Sequence, residues 1–550
     1  MRKWLPLITV SLGTFMLLID VTIVNVALPD MATDLHSSFS SLQWVIDIYA
    51  LALAALLLGI GAFSDRVGRR PVYIVGLVVF AVASLASGLA PSTTVLIVAR
   101  GVQGVGAAAM YATTIALLST SYEGRDRGVA FGVWGAINGA AAAAGPILGG
   151  LLTEGLSWRW IFFVNLPISV VAVALAVLVL RRDEPKRTGR VDIPGVIAFT
   201  ISAGAFTYGL TRASEAGWGS AQTVVMLLVG VVALAAFVAI QARTSQPLID
   251  LALLRRAAFS AVLVAAFVFS LSAFAYLTYI SLWLQSVRGM SPIQAGAAFL
   301  PLSLAALFVS LSIGRYLHAP STRRWAISGG MALIGIGALL EAHLGAGSDW
   351  KSVAIGLLIT GIGVGLVSPT LASAALAAVP QQVGGMASGA LNTMRQLGYA
   401  LGIAGLGVIL QSRIGHILSS TPGVRHSGTL AKAVAGGQSR QVLHATPAPT
   451  RGALDHAIHA AFASGLNGTL LVAGIAGLAG AAIVAVALRP AAAEPAPAAA
   501  AEPTPAAAAE PTPAAAEPTP AAGPAPTSRQ APAQHAPAGV QRSAAGQTNR

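Results

Sequence analysis

The residues able to do chemistry are few, and they stand inside apolar runs. Asp20 lies in LLIDVTIVNVALP (Leu17–Pro29), Asp47 in a second run, and Arg100 with Gln103 in ARGVQGVGAA (Ala99–Ala108). A carboxyl group can load and release a proton near working pH when burial, which disfavours its charge, is balanced by a nearby cation, which favours it. Arg100 cannot realistically lose its own charge, so it needs an acid or water beside it. Of the twenty Asp and Glu residues only Asp20, Asp47 and Glu341 fall inside apolar runs rather than at the first position of one, and none of the nine His residues sits mid-run, His343 being nearest at the end of one. An ionised acid at the centre of a membrane helix costs about 2.5–3.5 kcal/mol on insertion scales, so Asp20 is a functional candidate by default. Glu341 reads as an interfacial acid beside His343. Other chemistries find little support. There is no cysteine, hence no thiolate nucleophile and no disulfide. There is also no HExxH, no Ser/His/Asp grouping, and no GxxxxGK followed by Ser or Thr to hold a nucleotide.

The elements that must position these residues are membrane helices. The chain has 550 residues, 55% hydrophobic and 10% charged, against about 25% charged in soluble domains. A spanning helix needs about 20 largely apolar residues. Fourteen stretches qualify: 5–27, 43–63, 72–90, 94–120, 129–152, 160–180, 192–212, 221–240, 260–284, 295–317, 325–345, 351–374, 387–411 and 463–488. The run at 192–212 is the weakest, since it opens on Asp192 and contains Pro194 and several glycines. The fold class is therefore all-α integral membrane. The excess of 33 Lys and Arg over 20 Asp and Glu forms no stripe suited to nucleic acid; it sits in the gaps between runs. With the N-terminus inside, short inner gaps hold eighteen basic residues and short outer gaps hold Arg159, Arg212, Arg288 and Lys351. This puts both termini in the cytoplasm. Asp20, seven residues from the outer end of its run, and Arg100, six residues from the outer end of its own, then lie at one depth, about 10 Å below the interface at about 1.5 Å per residue. Asp47 is shallower, about 6 Å deep.

Internal echoes divide the membrane part. Gly132, Asn138 and Gly145 align with Gly389, Arg395 and Gly402 at a constant offset, and the basic GAFSDRVGRR (Gly61–Arg70) has a degraded counterpart in GRYLHAPSTRR (Gly314–Arg324). Together they suggest a parallel repeat. The resulting division is an N-terminal six-helix bundle over 1–181, an inserted helix pair with flanking loops over 182–259, a C-terminal six-helix bundle over 260–489 with an external loop at 412–462, and an Ala/Pro-rich tail over 490–550. The tail repeats EPAP or EPTP, which buries nothing and reads as an extended solvated segment, with a Pro-motif docking site as the alternative.

The sequence resembles the major facilitator superfamily, specifically its fourteen-helix branch of drug:proton antiporters, and actinomycete antibiotic-resistance exporters within it. The resemblance rests on Leu17–Pro29, on GAFSDRVGRRP (Gly61–Pro71), on Ala99–Ala108, on GAINGAAAAAGPILGGLL (Gly135–Leu152), on SWRWIFFVNLPI (Ser157–Ile168) and on ASGALNTMRQLGYALG (Ala387–Gly402). It implies the major facilitator fold, two six-helix bundles plus two inserted helices. It also implies proton-coupled efflux of hydrophobic drugs across a bacterial plasma membrane, with an endogenous metabolite or siderophore as alternative cargo and an integral-membrane enzyme as the remote one. It further implies that Asp20 and Arg100 are partners across the cavity, with Asp47 a further proton-coupling candidate. Gly61, Asp65, Arg66, Gly68, Arg69 and Arg70 become a cytoplasmic latch. Asp65 can accept from a helix N-terminus or a basic residue; positive-inside charge alone is the plainer reading. Gly145, Pro146, Gly149 and Gly150 form the antiporter motif, a bend that seals the cavity, or else simple close packing. Asn25, Gln103, Trp134, Asn138, Tyr276, Tyr279, Asn392, Arg395 and Gln396 are candidate cavity liners, with packing as the competing reading, while Trp158, Trp160 and Phe163 suit an interfacial belt. No cofactor or metal is expected; the drive is the proton-motive force. The expected partners are a small hydrophobic substrate, protons and the lipid bilayer, with no nucleic acid, in a monomeric protein.

Overall fold

A computed structural model describes residues 2–37, 39–181, 192–244, 247–249, 251–313, 320–421 and 427–488. The tail, most of the gap at 182–191 with its basic cluster, and the first part of the Gly314–Arg324 echo lie outside the described residues, as do the side chains of Asn25 and Pro146. The described residues are helical, without strands. In chain order the helices are α1 (Leu5–Asp34), α2 (Phe39–Val67), α3 (Arg69–Gly88), α4 (Thr93–Ser121), α5 (Gly124–Gly155), α6 (Trp160–Phe163), α7 (Asn165–Val179), α8 (Ile193–Ala216), α9 (Ala221–Arg243), α10 (Leu251–Leu254), α11 (Ala257–Ser270), α12 (Tyr276–Leu282), α13 (Pro292–Ala298), α14 (Leu300–Ile313), α15 (Pro320–Glu341), α16 (Lys351–Ala377), α17 (Gly384–Ser419), α18 (Ser427–Ala435), α19 (Ser439–Ala445) and α20 (Ala448–Ala487).

Eleven of these segments are long and apolar enough to cross a membrane. Helix also occupies most of the described part of the other three expected stretches, over 129–152, 295–313 and 325–341, but α5 and α15 are less apolar and α14 is shorter. Backbone polar groups cannot be left unpaired in lipid, which is why every long apolar stretch resolves into helix. The apolar side chains that remain exposed, such as Val224, Leu228, Val231 and Val232 along α9, form the surface that lipid covers.

Several boundaries move. α1 runs on to Asp34 rather than stopping near Ala27, and α20 begins at Ala448, inside the stretch expected as external loop, whose remainder carries α18 and α19. The weak run at 192–212 is helical because Asp192 caps it: Oδ1 accepts from Gly195 N at 3.0 Å, and Oδ2 accepts from Gln241 Nε2 at 2.7 Å, tying α8 to α9. The 260–284 run is not one α-helix. Two π-helical turns, Leu271–Ala275 and Trp283–Val287, flank α12, and such turns are common where a helix is shaped for a site.

Packing repeats along the chain. α3 packs on α4, α2 on α4, α1 on α5 and α3 on α7; further along, α15 packs on α16, α14 on α16, α11 on α17 and α15 on α20. The two sets meet where α2 lies on α17 and α5 on α14, and the α8–α9 pair leans on α2 and α17 through α8.

Candidate functional site

The geometry around Asp20 begins with its burial on α1, with α4 crossing beside it. Asp20, Arg100 and Gln103 are all buried. Arg100 Nη1 donates to Asp20 Oδ2 at 2.5 Å and to Gln103 Oε1 at 2.8 Å, while Gln103 Nε2 donates to Asp20 Oδ1 at 2.9 Å. Arginine and glutamine fall three residues apart on α4, so both reach the same carboxylate. The guanidinium is held from two further directions. Its Nε donates to Val45 O at 3.1 Å, and its Cζ stands 4.2 Å from the Tyr49 ring centroid. The depth argument from sequence thus leads to a real contact between Asp20 and Arg100.

Two members of this group escaped the sequence reading. Asn165 Nδ2 donates to Asp20 Oδ1 at 3.2 Å and to Ser84 Oγ at 3.1 Å, and Ser84 Oγ donates to Phe162 O at 2.9 Å. Asn165 opens α7 and follows the single non-helical position Val164 after α6. The signal available was a lone amide between apolar residues in SWRWIFFVNLPI. Asn before Leu-Pro reads equally well as a helix start, so the signal is weak.

Asp47 is not part of the group. Val45 and Tyr49, four residues apart, are the face of α2 turned to Arg100; Asp47 is two residues from each, about 200° round the helix. It is half-buried. A neighbouring depth therefore did not mean a shared direction. Gln103, expected among the cavity liners, is instead locked between Asp20 and Arg100.

A second constellation joins α2 to α17. Asp65 Oδ1 accepts from Arg69 Nε at 3.1 Å and Nη2 at 2.8 Å, and from Gly385 N at 2.8 Å; Oδ2 accepts from Met386 N at 2.9 Å. The carboxylate thus sits at the N-terminus of α17, where unpaired N–H groups and the helix dipole favour an anion. The approach is backbone to backbone: a Cβ on Gly61 would stand 2.5 Å from Gly385 O, and one on Gly385 would stand 2.6 Å from Asp65 Oδ1 and from Gly61 O. What sequence presented as a loop is mostly helix. α2 continues to Val67, Gly68 turns the chain with φ +108°, and α3 starts at Arg69. Arg66 Nη1 donates to Ala62 O at 3.1 Å, and Arg70 donates to Ala176 O and Val177 O at 3.3 and 2.6 Å, closing the end of α7.

The glycines of α5 serve close packing. α5 runs unbroken as α-helix from Gly124 to Gly155, and a Cβ on Gly145 would overlap Thr22 Oγ1 of α1, while one on Gly150 would stand 3.2 Å from Ile293 Cγ1. Gly149 is buried.

The remaining liner candidates separate into packed and accessible ones. Trp134 is buried, with Nε1 donating to Thr14 Oγ1 at 3.1 Å; Tyr276 donates to Thr360 Oγ1 at 3.2 Å; Tyr279 Oη donates to Ile403 O at 2.5 Å. Asn392 is buried between halves of the chain, donating to Tyr111 O at 3.3 Å with its Oδ1 unpartnered. Asn138, Arg395 and Gln396 are half-buried. Glu341 is the clear correction. It is not an interfacial acid: it is fully buried, and His343 turns its Nδ1 to Leu340 O at 2.6 Å instead.

Comparison with known proteins identifies the family and the fold. A family model described as Major Facilitator Superfamily matches residues 10–403. The chain is 36% identical to the multidrug resistance protein Stp of Mycobacterium tuberculosis over 74% of its own length and 75% of the relative's. It is 32% identical to the tetracenomycin C resistance and export protein of Streptomyces glaucescens over 88% and 91%, and 36% identical to the cephamycin export protein CmcT of Amycolatopsis lactamdurans over 71% and 81%. In fold it is similar to the human organic anion transporter MFSD10, with a TM-score of 0.59 at 16% identity, covering 88% of this chain and 99% of that one.

Proposed function

The chain belongs to the major facilitator superfamily and is a multi-pass membrane transport protein, not an enzyme; on that premise we propose that it exports hydrophobic drugs or antibiotics from a bacterial cell in exchange for protons. The names of its relatives, one for multidrug resistance and two for the export of unlike compounds, support a cargo class that is broad and amphipathic. The two export names also favour a second cargo, a metabolite made by the cell itself. The carrier works as a monomer without a cofactor. Both termini are cytoplasmic, with fourteen spans arranged as two six-helix bundles (1–181 and 260–489) around an inserted pair (182–259).

The observation that carries the coupling is the buried group of Asp20, Arg100, Gln103 and Asn165. The permanent positive charge of Arg100 offsets the desolvation of the Asp20 carboxylate. Protonation of Asp20 removes the attraction, freeing α4 from α1, and deprotonation restores it. Asp20 takes its proton from outside and gives it up inside, and cargo binding alternates with protonation. Asp65 on the N-terminus of α17 is the cytoplasmic latch, holding the bundles together on that side while the opposite side is open. The small-residue face of α5 on α1 lets the bundle close without leak.

The test uses purified protein in vesicles that enclose a pH-sensitive dye. Ethidium, a hydrophobic cation, is added against an imposed pH difference. Wild type discharges the difference as ethidium moves, whereas Asp20→Asn inserts and folds but does neither. Full-speed ethidium movement with both gradient components collapsed refutes the proposal, as does normal ethidium-driven proton flux in Asp20→Asn.

A further inference from the structure

The offset that aligns Gly132, Asn138 and Gly145 with Gly389, Arg395 and Gly402 also aligns Gln103, Gly104 and Gly106 of α4 with Thr360, Gly361 and Gly363 of α16, and Ser84 of α3 with Glu341 of α15. The packing agrees. A Cβ on Gly104 would stand 2.7 Å from Tyr49 O of α2, and one on Gly106 would stand 2.8 Å from Gly76 O of α3. Likewise a Cβ on Gly361 would meet Leu302 O of α14, and one on Gly363 would meet Gly330 O of α15. Glu341 therefore occupies, in the second half of the chain, a place equivalent to the polar group around Asp20 in the first.

The two places differ in one respect. At the position of Arg100 the second half has Leu357, buried and apolar. Glu341 is fully buried; its carboxyl has the Tyr276 hydroxyl as polar neighbour, and among the described residues no well-formed hydrogen bond reaches either oxygen. Its wall is made by α16 and α12. On α16 a Cβ at Gly356 would stand 2.8 Å from Glu341 Oε1, so the carboxyl lies directly against the backbone of that helix. Tyr276, positioned just after the π-helical turn Leu271–Ala275, faces the carboxyl, and its hydroxyl donates to Thr360 Oγ1. Of the other titratable groups on the surrounding elements, His343 is turned to the Leu340 carbonyl, His459 of α20 is paired with Asp455 at 3.4 Å, and Lys351 at the start of α16 is exposed. Among the described residues no Lys or Arg forms an ion pair with Glu341. An ionised carboxylate buried with no counter-charge and only a phenol beside it is expensive, so this pocket accommodates the neutral acid.

We propose that Glu341, enclosed by Tyr276, Thr360 and Gly356, is a second proton-binding site of the carrier, loaded when closed in this way and emptied when α15 and α16 part to admit water. The inference rests on the reading of the protein as a proton-coupled exporter and adds a site in the half that lacks the arginine. No bond other than O–H is made or broken: the carboxyl takes a proton from water on one side and returns it to water on the other.

The experiment counts protons per ethidium in dye-loaded vesicles for wild type and Glu341→Gln, a substitution that keeps the shape of the neutral acid. Glu341→Gln should fold, bind ethidium and carry it with one proton fewer per cycle and a flatter dependence on pH. An unchanged proton count in Glu341→Gln, with wild type coupled, overturns this inference and leaves the export reading intact. A wild type that moves ethidium without protons overturns both. If Glu341→Gln does not fold, infrared difference spectra of Asp20→Asn decide instead. Ethidium should still remove the C=O stretch of one buried carboxylic acid, and a spectrum with no carboxyl change overturns the proposal.

Discussion

Removing the charge of Asp65 tests the latch and can be worked through in numbers. The bonds from Arg69 belong to the same side of the seam as Asp65 and persist when α2 and α17 separate; the bonds from Gly385 N and Met386 N at 2.8 and 2.9 Å are the ones that must break. A hydrogen bond to a charged group contributes about 1.5–3 kcal/mol and a neutral one about 0.5–1.5. Asp65→Asn keeps one neutral acceptor and loses both charged bonds, a net loss of about 2–4 kcal/mol in the latched form. At about 1.4 kcal/mol per tenfold, the unlatched population rises about 30- to 700-fold. The chain contains no cysteine, so a single Ser388→Cys, fully buried on α17 one turn beyond the latch, reports opening by its reaction with a charged maleimide. The rate should rise at least tenfold in Asp65→Asn. A rate within twofold of the Asp65 protein, with thermal unfolding unchanged, refutes the claim that these two backbone bonds hold the ends together.

Three other outcomes follow from the same coordinates. Asp20→Asn leaves buried Arg100 without its counter-charge and should cost about 3–5 kcal/mol of stability; adding Arg100→Leu, which copies Leu357 of the second half, should restore thermal stability in detergent without restoring ethidium-driven proton flux. Gly145→Ala should cost about 1–3 kcal/mol by overpacking against Thr22, and Thr22→Gly should recover much of the loss in the same melt. Asp34 is bonded by Arg159 at 2.5 Å and by Trp158 at 3.1 Å, chiefly the arginine, which lowers its carboxyl below the usual carboxylate value. A lowered folded value means the stabilisation is complete above the unfolded value of about 3.9 and is lost only as pH falls below it; Asp34→Asn should therefore lower the melting temperature from pH 5 to 8, with the difference from wild type shrinking as pH falls below about 4, and leave the shape of the transport profile from pH 5 to 8 as it was.

Much of the fold was legible because a membrane helix announces itself by length and apolarity alone. The Asp20–Arg100 contact was legible for a related reason. A charge inside an apolar run stands out, and its distance from the run's end gives its depth. Depth says nothing of direction, however. Asp47 shares the layer but looks the other way round α2. Glu341 is the last residue of α15, a position that reads as interfacial, yet it is fully buried against α16 and Tyr276. Asn165 and Ser84 carry no charge, so the polarity pattern marks them only weakly: the lone amide also reads as a helix start, and the serine as an ordinary helix residue. The interhelical register that unites them with Asp20 exists only in three dimensions. The Gly61–Gly385 seam was half legible: the first glycine sat in a suspicious segment, while its partner, far along the chain, gave no sign of where it would dock.

The leucine that stands in for an arginine changes how voltage acts on the proposed cycle. With Arg100 beside it, the Asp20 centre is electrically neutral when empty and carries +1 when loaded. Without such a neighbour, the Glu341 centre is neutral when loaded and carries −1 when empty. A cell interior held negative pulls the first centre inward with its cargo of hydrogen ion and pushes the second back outward after delivery, each worth up to about 2.3 kcal/mol per 100 mV for a full crossing of the field. One absent cation thus lets the same electrical force favour both the delivery stroke of one half and the recovery stroke of the other.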